Sequence, residues 1–326
     1  MGSKSLVTGG TGMIGREVVD ILLNHGSSVT SVSLDELKIN DSAKYIKGDL
    51  SNLEFCLDIT NGMDYVFHVA GIKGSVKVTI EKLIDTFLYA GKVSIELREK
   101  GLIKEIKEDN TPVSNGDLEV NRILTEKINN LTPQIPIVSE ETSHNKSKKD
   151  LKNFWLIDPI DGTYDYINDL EEFTLNAGLI INNRAVAGII YAPAKDRLFY
   201  SYGKDCSFEI INKKRIKLDC SKISNNKLKF VSYSHKLKPE ISKIYESLNV
   251  SEFKRMKSSL KFCVIASNEY DGYVAEPRAC EWDIAAGHAI LENAGGIVTD
   301  FEGNEILYGK ENFKNPSIIL KRNKNI

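Results

Sequence analysis

The chain has 326 residues, 41% hydrophobic and 27% charged, a composition that fits one large globular domain or two ordinary ones. A formal net charge of −2, with only short basic runs such as Lys213-Lys214-Arg215, excludes a general nucleic-acid or membrane-surface role. The five cysteines lack CxxC spacing, no apolar run approaches the ~20 residues that cross a bilayer, and no secretion signal opens the chain, so reduced thiols, no zinc site and a cytoplasmic location are expected.

Residues 5–8 form a short apolar strand that runs into Gly9-Gly10-Thr11-Gly12-Met13-Ile14-Gly15. A helix follows, with apolar residues at Ile14, Val18, Val19, Ile21, Leu22 and Leu23, and ends near His25-Gly26. Residues 29–34 are the next strand, with Asp35 at its end. Glycines in such a turn let the backbone approach a pyrophosphate at the helix N-terminus, so Gly9, Gly12 and Gly15 are candidate contacts. Asp35, 26 residues after Gly9, is placed to bind a ribose hydroxyl. Strands at 45–50 and 64–71 continue the alternation.

Residues 4–75 resemble the N-terminal part of an extended short-chain dehydrogenase of the nucleotide-sugar epimerase/dehydratase type. The matching pieces are TGGTGMIG, the GDL at 48–50 and the HVAG at 68–71. The resemblance implies a partial Rossmann-like segment able to take NAD(P), with Asp49 and Leu50 flanking the adenine. The pattern stops after its fourth strand, and no Tyr-x-x-x-Lys pair follows in a compatible context, which rules out oxidoreductase chemistry. Three readings stay open for this segment: it only packs against the rest, it binds a nucleotide without catalysis, or it complements a partner chain.

Small and polar residues at 71–77 mark a junction, giving a segment at 1–76 and a second domain at 77–326. An amphipathic helix is expected from about Thr79 to Gly101, and another over 118–129. Strands are expected at 135–139, 154–158, 175–181, 185–191, 197–202, 230–234 and 272–275, and a helix over 282–294. A polar loop covers 143–152. This length suits one large α/β unit of stacked helices and sheets.

Acidic residues in three separated clusters carry the chemistry: Ser139-Glu140-Glu141-Thr142, Asp158-Pro159-Ile160-Asp161-Gly162-Thr163 and Glu281-Trp282-Asp283. Carboxylates among apolar neighbours are costly to bury unless a cation compensates them. Mg²⁺ takes oxygen ligands and bridges carboxylates to phosphate, so the pattern reads as a metal-dependent phosphate site. Pro159 sets the turn and Gly162 permits close backbone approach, aiming two carboxylates, a carbonyl and the Thr163 hydroxyl into one space. A helix starting at Gly162 or Thr163 would add free N–H groups for an anion. The small residues Ala285, Ala286 and Gly287 after Asp283 would let a substrate approach.

Residues from about 79 to 326 resemble the inositol monophosphatase superfamily of Mg²⁺-dependent, lithium-sensitive phosphatases. The motifs occur in order: the segment 109–117 for D-x-S-P-V-T-x-x-D, then SEET, DPIDGT, WDIAAG and ENAGG. The resemblance implies a layered α-β-α-β-α fold and two to three Mg²⁺ ions. Glu140, Asp158 and the Ile160 carbonyl would hold the first ion, and Asp158, Asp161 and Asp283 the second. A third, weaker ion would lie near Glu140. Thr163, hydrogen-bonded to Asp117, would activate the attacking water, with Gly162 beside the phosphate and Glu141 as an outer partner. A homodimer is open, since the superfamily is often dimeric.

Two segments resemble 3′(2′),5′-bisphosphate nucleotidases: Val231-Ser232-Tyr233-Ser234-His235 and Lys257-Ser258-Ser259-Leu260-Lys261-Phe262-Cys263. They imply that His235, Ser258, Ser259 and Lys261 surround a second phosphate. The bacterial enzymes carry a Tyr-Pro-Arg stretch where this chain has Tyr273-Val274-Ala275, so Arg278 replaces that arginine only if the loop shifts. Glu276 sits where polyol-phosphate enzymes place a hydroxyl-binding glutamate. Three functions therefore stay open. One is hydrolysis of adenosine 3′,5′-bisphosphate to AMP and phosphate, clearing a by-product of sulfate assimilation. The others are hydrolysis of inositol or sugar monophosphates, and dinucleotide binding by the N-terminal segment.

Overall fold

The computed structural model describes residues 2–50, 52–70, 76–107, 111–142, 146, 150–221 and 227–326. Asp109 and Asn110, most of the junction and most of the 143–152 loop lie outside them. The chain divides into two compact units, Met1–Glu81 and Lys82–Ile326, with the division inside one helix.

The first unit contains β1 (Lys4–Thr8), α1 (Met13–Asn24), β2 (Ser28–Ser33), β3 (Lys44–Lys47), α2 (Leu53–Thr60) and β4 (Tyr65–His68). Its sheet has the order β3-β2-β1-β4, all parallel. β1 is buried on both faces because Leu6 joins a cluster with Val32 and Ile59, while Val7 joins Val19 and Val29. All four residues of β4, by contrast, are exposed.

Helix α3 (Val76–Lys100) leads into the second unit. There follow β5 (Lys104–Ile106), β6 (Pro112–Ser114), α4 (Asn115–Leu131), β7 (Ile137–Ser139), β8 (Phe154–Asp161), α5 (Thr163–Ile167), β9 (Thr174–Ile181), β10 (Arg184–Ala192), β11 (Arg197–Ser201), β12 (Ser207–Ile211) and β13 (Lys214–Lys217). The rest comprises β14 (Leu228–Ser232), α6 (Pro239–Ser247), β15 (Val250–Arg255), α7 (Leu260–Ala266), β16 (Gly272–Ala275), α8 (Glu281–Asn293), β17 (Ile297–Thr299) and β18 (Ile318–Lys321). One sheet runs β13-β12-β11-β10-β9-β8-β7, antiparallel except for the β7–β8 pair. The other runs β15-β14-β16-β18-β17. Helices α7 and α8 lie between the sheets in the main core, which includes Phe154, Phe199, Val231, Phe262 and Ile290. With α3 and α4 outside one sheet and α6 outside the other, the layers are α-β-α-β-α.

Two local readings change and one helix is new. First, Ala285, Ala286 and Gly287 do not open a path for substrate. A Cβ on Gly178 would meet Ala285 at 2.7 Å, one on Gly188 the Ala286 carbonyl at 2.3 Å, and one on Gly287 the Phe262 ring at 2.4 Å. The small residues therefore let α8 lie directly on β9, β10 and α7. Second, α4 begins three residues earlier than its apolar periodicity indicates, because Ser114 and Asp117 form a capping box. The helix for which no element was expected is α7 at 260–266, with every residue buried, so it lacks the polar face that marks a helix in sequence.

Candidate active site

The Asp158–Asp161 segment ends β8 with a bulge. Asp158 pairs with Asn176 but Asp161 with Thr174, so β8 has one residue more than its partner. In a regular strand, residues three apart face opposite sides; the extra residue turns both carboxylates to one side. At the end of β7, the Glu140 amide donates to the Ile157 carbonyl at 3.0 Å, which ties the Glu140-Glu141 cluster to β8. Asp117 and Asp283 occupy equivalent places on α4 and α8. Each is the third helical residue, and one of its oxygens accepts its own cap amide, from Ser114 and Cys280 respectively, both at 2.8 Å. The Thr163 hydroxyl lies 3.2 Å from Asp117 Oδ1 and 3.0 Å from the Ile160 carbonyl.

These carboxylates crowd one another. Burial first, then Glu140, Asp161, Asp283 and Asp117, push the Asp158 carboxyl well above its ordinary range. Burial, Asp161 and Glu140 lift Asp283 to about 8. Burial also raises Asp161, against Lys261 and the Ser259 amide, and raises Asp117 against its bonds to Ser114. Asp158 is 2% exposed, and its Oδ1 is buried with no hydrogen-bond partner among the described residues. An orphaned anionic oxygen among four other acids fits a bound cation. Among the described residues, no three acidic, histidine or cysteine side chains stand as a preformed ion cage. The fit rests on charge and on the orphaned oxygen. On the outer side, the Lys107 ammonium is 3.2 Å from Glu140 and 2.6 Å from Glu141. Lys146 donates to the Glu140 carbonyl at 2.5 Å and lies 4.9 Å from the Trp282 ring.

A cavity of about 390 Å³ is lined by Asp161 and Asp283 together with Lys257, Lys261, Glu276 and Arg278. Gly162 lines it with φ +94°, where a Cβ would press to 2.6 Å on the Glu172 carbonyl. The five-residue α5 behind it is too short to carry a helix dipole toward an anion. Lys261 is 8% exposed and donates to the Ser258 carbonyl at 2.6 Å; burial lowers its pKa, against Asp161. Glu276 is engaged by Lys238 at 2.6 Å. Burial alone would raise its carboxyl, and the Lys238 bond and charge leave it below the ordinary range.

The structure does not bring all the motif residues together. His235 is exposed and outside the cavity lining. Ser258 and Ser259 are fully buried, and the Ser259 hydroxyl is engaged with Thr174 at 2.8 Å and Asn176 at 2.7 Å. Lining residues outside the motif-derived set include Tyr233, Tyr164 and Lys257, whose ammonium lies 2.6 Å from Asp165. Arg278 lines the cavity, its guanidinium carbon 3.2 Å from the Tyr233 ring centroid. Tyr233 and Lys257 lie inside the two nucleotidase-like segments and Tyr164 directly follows the Asp-Pro-Ile-Asp-Gly-Thr run, which is the sequence signal for them.

In the first unit, the glycine signature has a packing cause. A Cβ on Gly9 (φ +73°) would meet Ala70 at 2.7 Å, one on Gly10 the Ser31 hydroxyl at 2.2 Å, and one on Gly15 the Gly9 carbonyl at 2.1 Å. Gly12 caps α1. Asp35 accepts from the Thr11 hydroxyl at 3.1 Å and the Leu37 amide at 3.3 Å. Asp49 is exposed after β3, and Leu50 packs against the Leu6 cluster.

Comparison with known proteins gives two family matches: the inositol monophosphatase family over residues 77–325 and the NAD dependent epimerase/dehydratase family over residues 5–99. The 3′(2′),5′-bisphosphate nucleotidase CysQ of Aggregatibacter actinomycetemcomitans is 32% identical over 251 residues, 74% of this chain and 93% of that protein. Its counterpart in Salmonella typhimurium is 33% identical over 213 residues, 64% of this chain and 85% of that protein. The crystal structure of CysQ from Bacteroides thetaiotaomicron, a bacterial member of the inositol monophosphatase family, superposes with a TM-score of 0.61 at 27% identity, covering 75% of this chain and 97% of that one.

Proposed function

The chain belongs, over residues 77–325, to the inositol monophosphatase family of Mg²⁺-dependent phosphatases, and we propose that it is a 3′(2′),5′-bisphosphate nucleotidase that converts adenosine 3′,5′-bisphosphate to AMP and inorganic phosphate. One observation carries this reading: the lining of a single cavity holds carboxylates, Asp161 and Asp283, together with cations, Lys257, Lys261 and Arg278. A ligand with two phosphates suits such a lining, the reacting phosphate held through cations bound at the carboxylates and the other met by the basic side chains.

Glu140, Asp158 and the Ile160 carbonyl would hold one Mg²⁺, and Asp158, Asp161 and Asp283 another. Bound ions lower the pKa of water and neutralise charge on the phosphoryl oxygens. The chain's own contribution is orientation. Thr163 gives its proton to Asp117 or the Ile160 carbonyl, which leaves its oxygen lone pairs to accept from the attacking water. The water oxygen bonds to phosphorus as the bond to the 3′ oxygen breaks, the water's proton passing by way of Thr163 toward Asp117 and the leaving 3′ oxygen taking a proton from solvent water.

Glu276 favours a second reading, an inositol or sugar monophosphatase, because a carboxylate suits sugar hydroxyls. Its engagement by Lys238 counts for the first reading, since a paired glutamate repels a second phosphate less. Turnover of adenosine 3′,5′-bisphosphate, inositol 1-phosphate and sugar monophosphates, with Mg²⁺ and with or without lithium, separates the two. Faster turnover of a polyol phosphate overturns the first.

In this reading the N-terminal unit takes no part in the chemistry, its glycines serving to pack α1 on the sheet. Calorimetry with NAD(H) and NADP(H) tests it, since heat of binding would assign the unit a ligand. A homodimer and a cytoplasmic location belong to the same proposal and are checked by sedimentation and cell fractionation.

A further inference from the structure

Glu281, the first residue of α8, is fully buried two positions before Asp283. A buried carboxylate is tolerated only when donors meet it, and here one segment supplies them all. The Gly309 amide donates to Oε2 at 2.8 Å, the Lys310 amide to Oε1 at 3.0 Å, and the Lys310 ammonium stands 2.8 Å from Oε1. The segment comes this close because Gly309 adopts φ +84°, and a Cβ there would strike the Leu151 carbonyl at 2.6 Å. It is anchored further by Tyr308, whose amide donates to the Asn183 carbonyl at 2.8 Å and whose hydroxyl lies 2.8 Å from His288 Nδ1.

Residues two apart on a helix point roughly 200° from each other. Glu281 therefore grips the 309–310 segment on one side of α8 while Asp283 faces the cavity on the other. Asp283 in turn is fixed to its helix by the Cys280 amide, so its position follows that of the first turn. We infer that Glu281 is a positioning residue: its clamp on Gly309 and Lys310 holds the first turn of α8, and with it the Asp283 carboxylate, at the distance from Asp158 and Asp161 that cation binding requires. The inference rests on the metal-site reading above.

The test is binding of Mn²⁺ alone to the full chain, followed by loss of the free-ion paramagnetic resonance signal. Glu281→Gln keeps the shape but sets an amide N–H against the donors of the clamp. It is expected to weaken Mn²⁺ about tenfold or more, the range for partners that orient metal ligands. Tyr308→Phe cuts only the His288 bond of the same segment, and is expected to lower thermal stability without changing Mn²⁺ affinity. Lys310→Met, at a side chain 31% exposed, weakens Mn²⁺ in the same direction as Glu281→Gln and by less, so it decides the matter if Glu281→Gln does not fold. Equal affinity in the wild type and Glu281→Gln overturns the inference, as does equal weakening by Tyr308→Phe. A wild-type chain that binds no Mn²⁺ overturns the metal site itself.

Discussion

The Thr163 hydroxyl lies 3.2 Å from Asp117 Oδ1, joining the first turn of α5 to the first turn of α4 over 46 residues of chain. The other Asp117 oxygen accepts the Ser114 amide and hydroxyl, so the carboxylate is held at both ends.

Thr163→Val removes this donor and the lone pairs that orient water. The expected result is a fall in kcat of about 100-fold or more, with KM changed far less. The stability cost is about 1 kcal/mol, that of one hydrogen bond. Thr163→Ser restores most of the rate. Steady-state kinetics at saturating Mg²⁺ checks this, and a Val variant within threefold of wild type would remove Thr163 from the mechanism.

Asp158→Asn is expected to abolish turnover while stabilising the metal-free protein. The change relieves repulsion from four neighbouring acids at an oxygen that has no donor. A gain of about 1 kcal/mol raises the melting temperature by about 2–4 °C in a unit of this size. Mg²⁺ then stabilises the wild type but not the variant. A lower melting temperature for the metal-free variant contradicts the crowding argument.

Metal-free protein is expected to lose stability as pH rises from about 4 to 8. Burial and the neighbouring acids lift the Asp283 carboxyl to about 8, so the folded chain holds that proton more tightly than the unfolded chain does. That contribution is complete below the ordinary carboxylate pKa and is gone above pH 8. Added Mg²⁺ raises the melting temperature more at pH 8 than at pH 5, because its ligands must be ionised. Scanning calorimetry in chelator and in Mg²⁺ measures both trends.

Arg278→Ala removes the guanidinium stacked on Tyr233 at the cavity. It is expected to raise KM for adenosine 3′,5′-bisphosphate about tenfold or more, the worth of a charge-assisted contact, and to leave KM for inositol 1-phosphate within about twofold. Equal losses on both substrates would place Arg278 outside second-phosphate recognition.

A chain beginning at Val76 keeps all of α3 and the whole of the 77–325 match. It is expected to fold and to retain kcat/KM within about threefold, since every residue proposed for catalysis lies in the second unit. Insoluble or inactive protein would show that the two units form one folding unit.

Local chemistry made the acidic motifs and the main elements legible. Strand alternation, the Gly-rich turn and the Asp-Pro-Ile-Asp-Gly-Thr run act over a few residues, and a chain states such constraints openly. The α7 helix was not legible because all of it is buried and it shows no amphipathic period. Ser258 and Ser259 looked like ligands in sequence, yet their hydroxyls sit inside the core, where burial rather than residue type decides availability.

By itself the sequence determined the family and the class of reaction, and it singled out the carboxylates proposed to carry it, because those residues are set by turns and strand ends within single segments. Only the tertiary structure decided which charges meet. It turned Asp158 and Asp161 to one side through a bulge, drew Glu276 to Lys238 and placed Arg278 over Tyr233. It also tied Glu281 to a segment 28 residues further along the chain. Pairing and burial depend on partners distant in sequence, and electrostatic energies follow distance and solvent exclusion, neither of which a linear pattern contains.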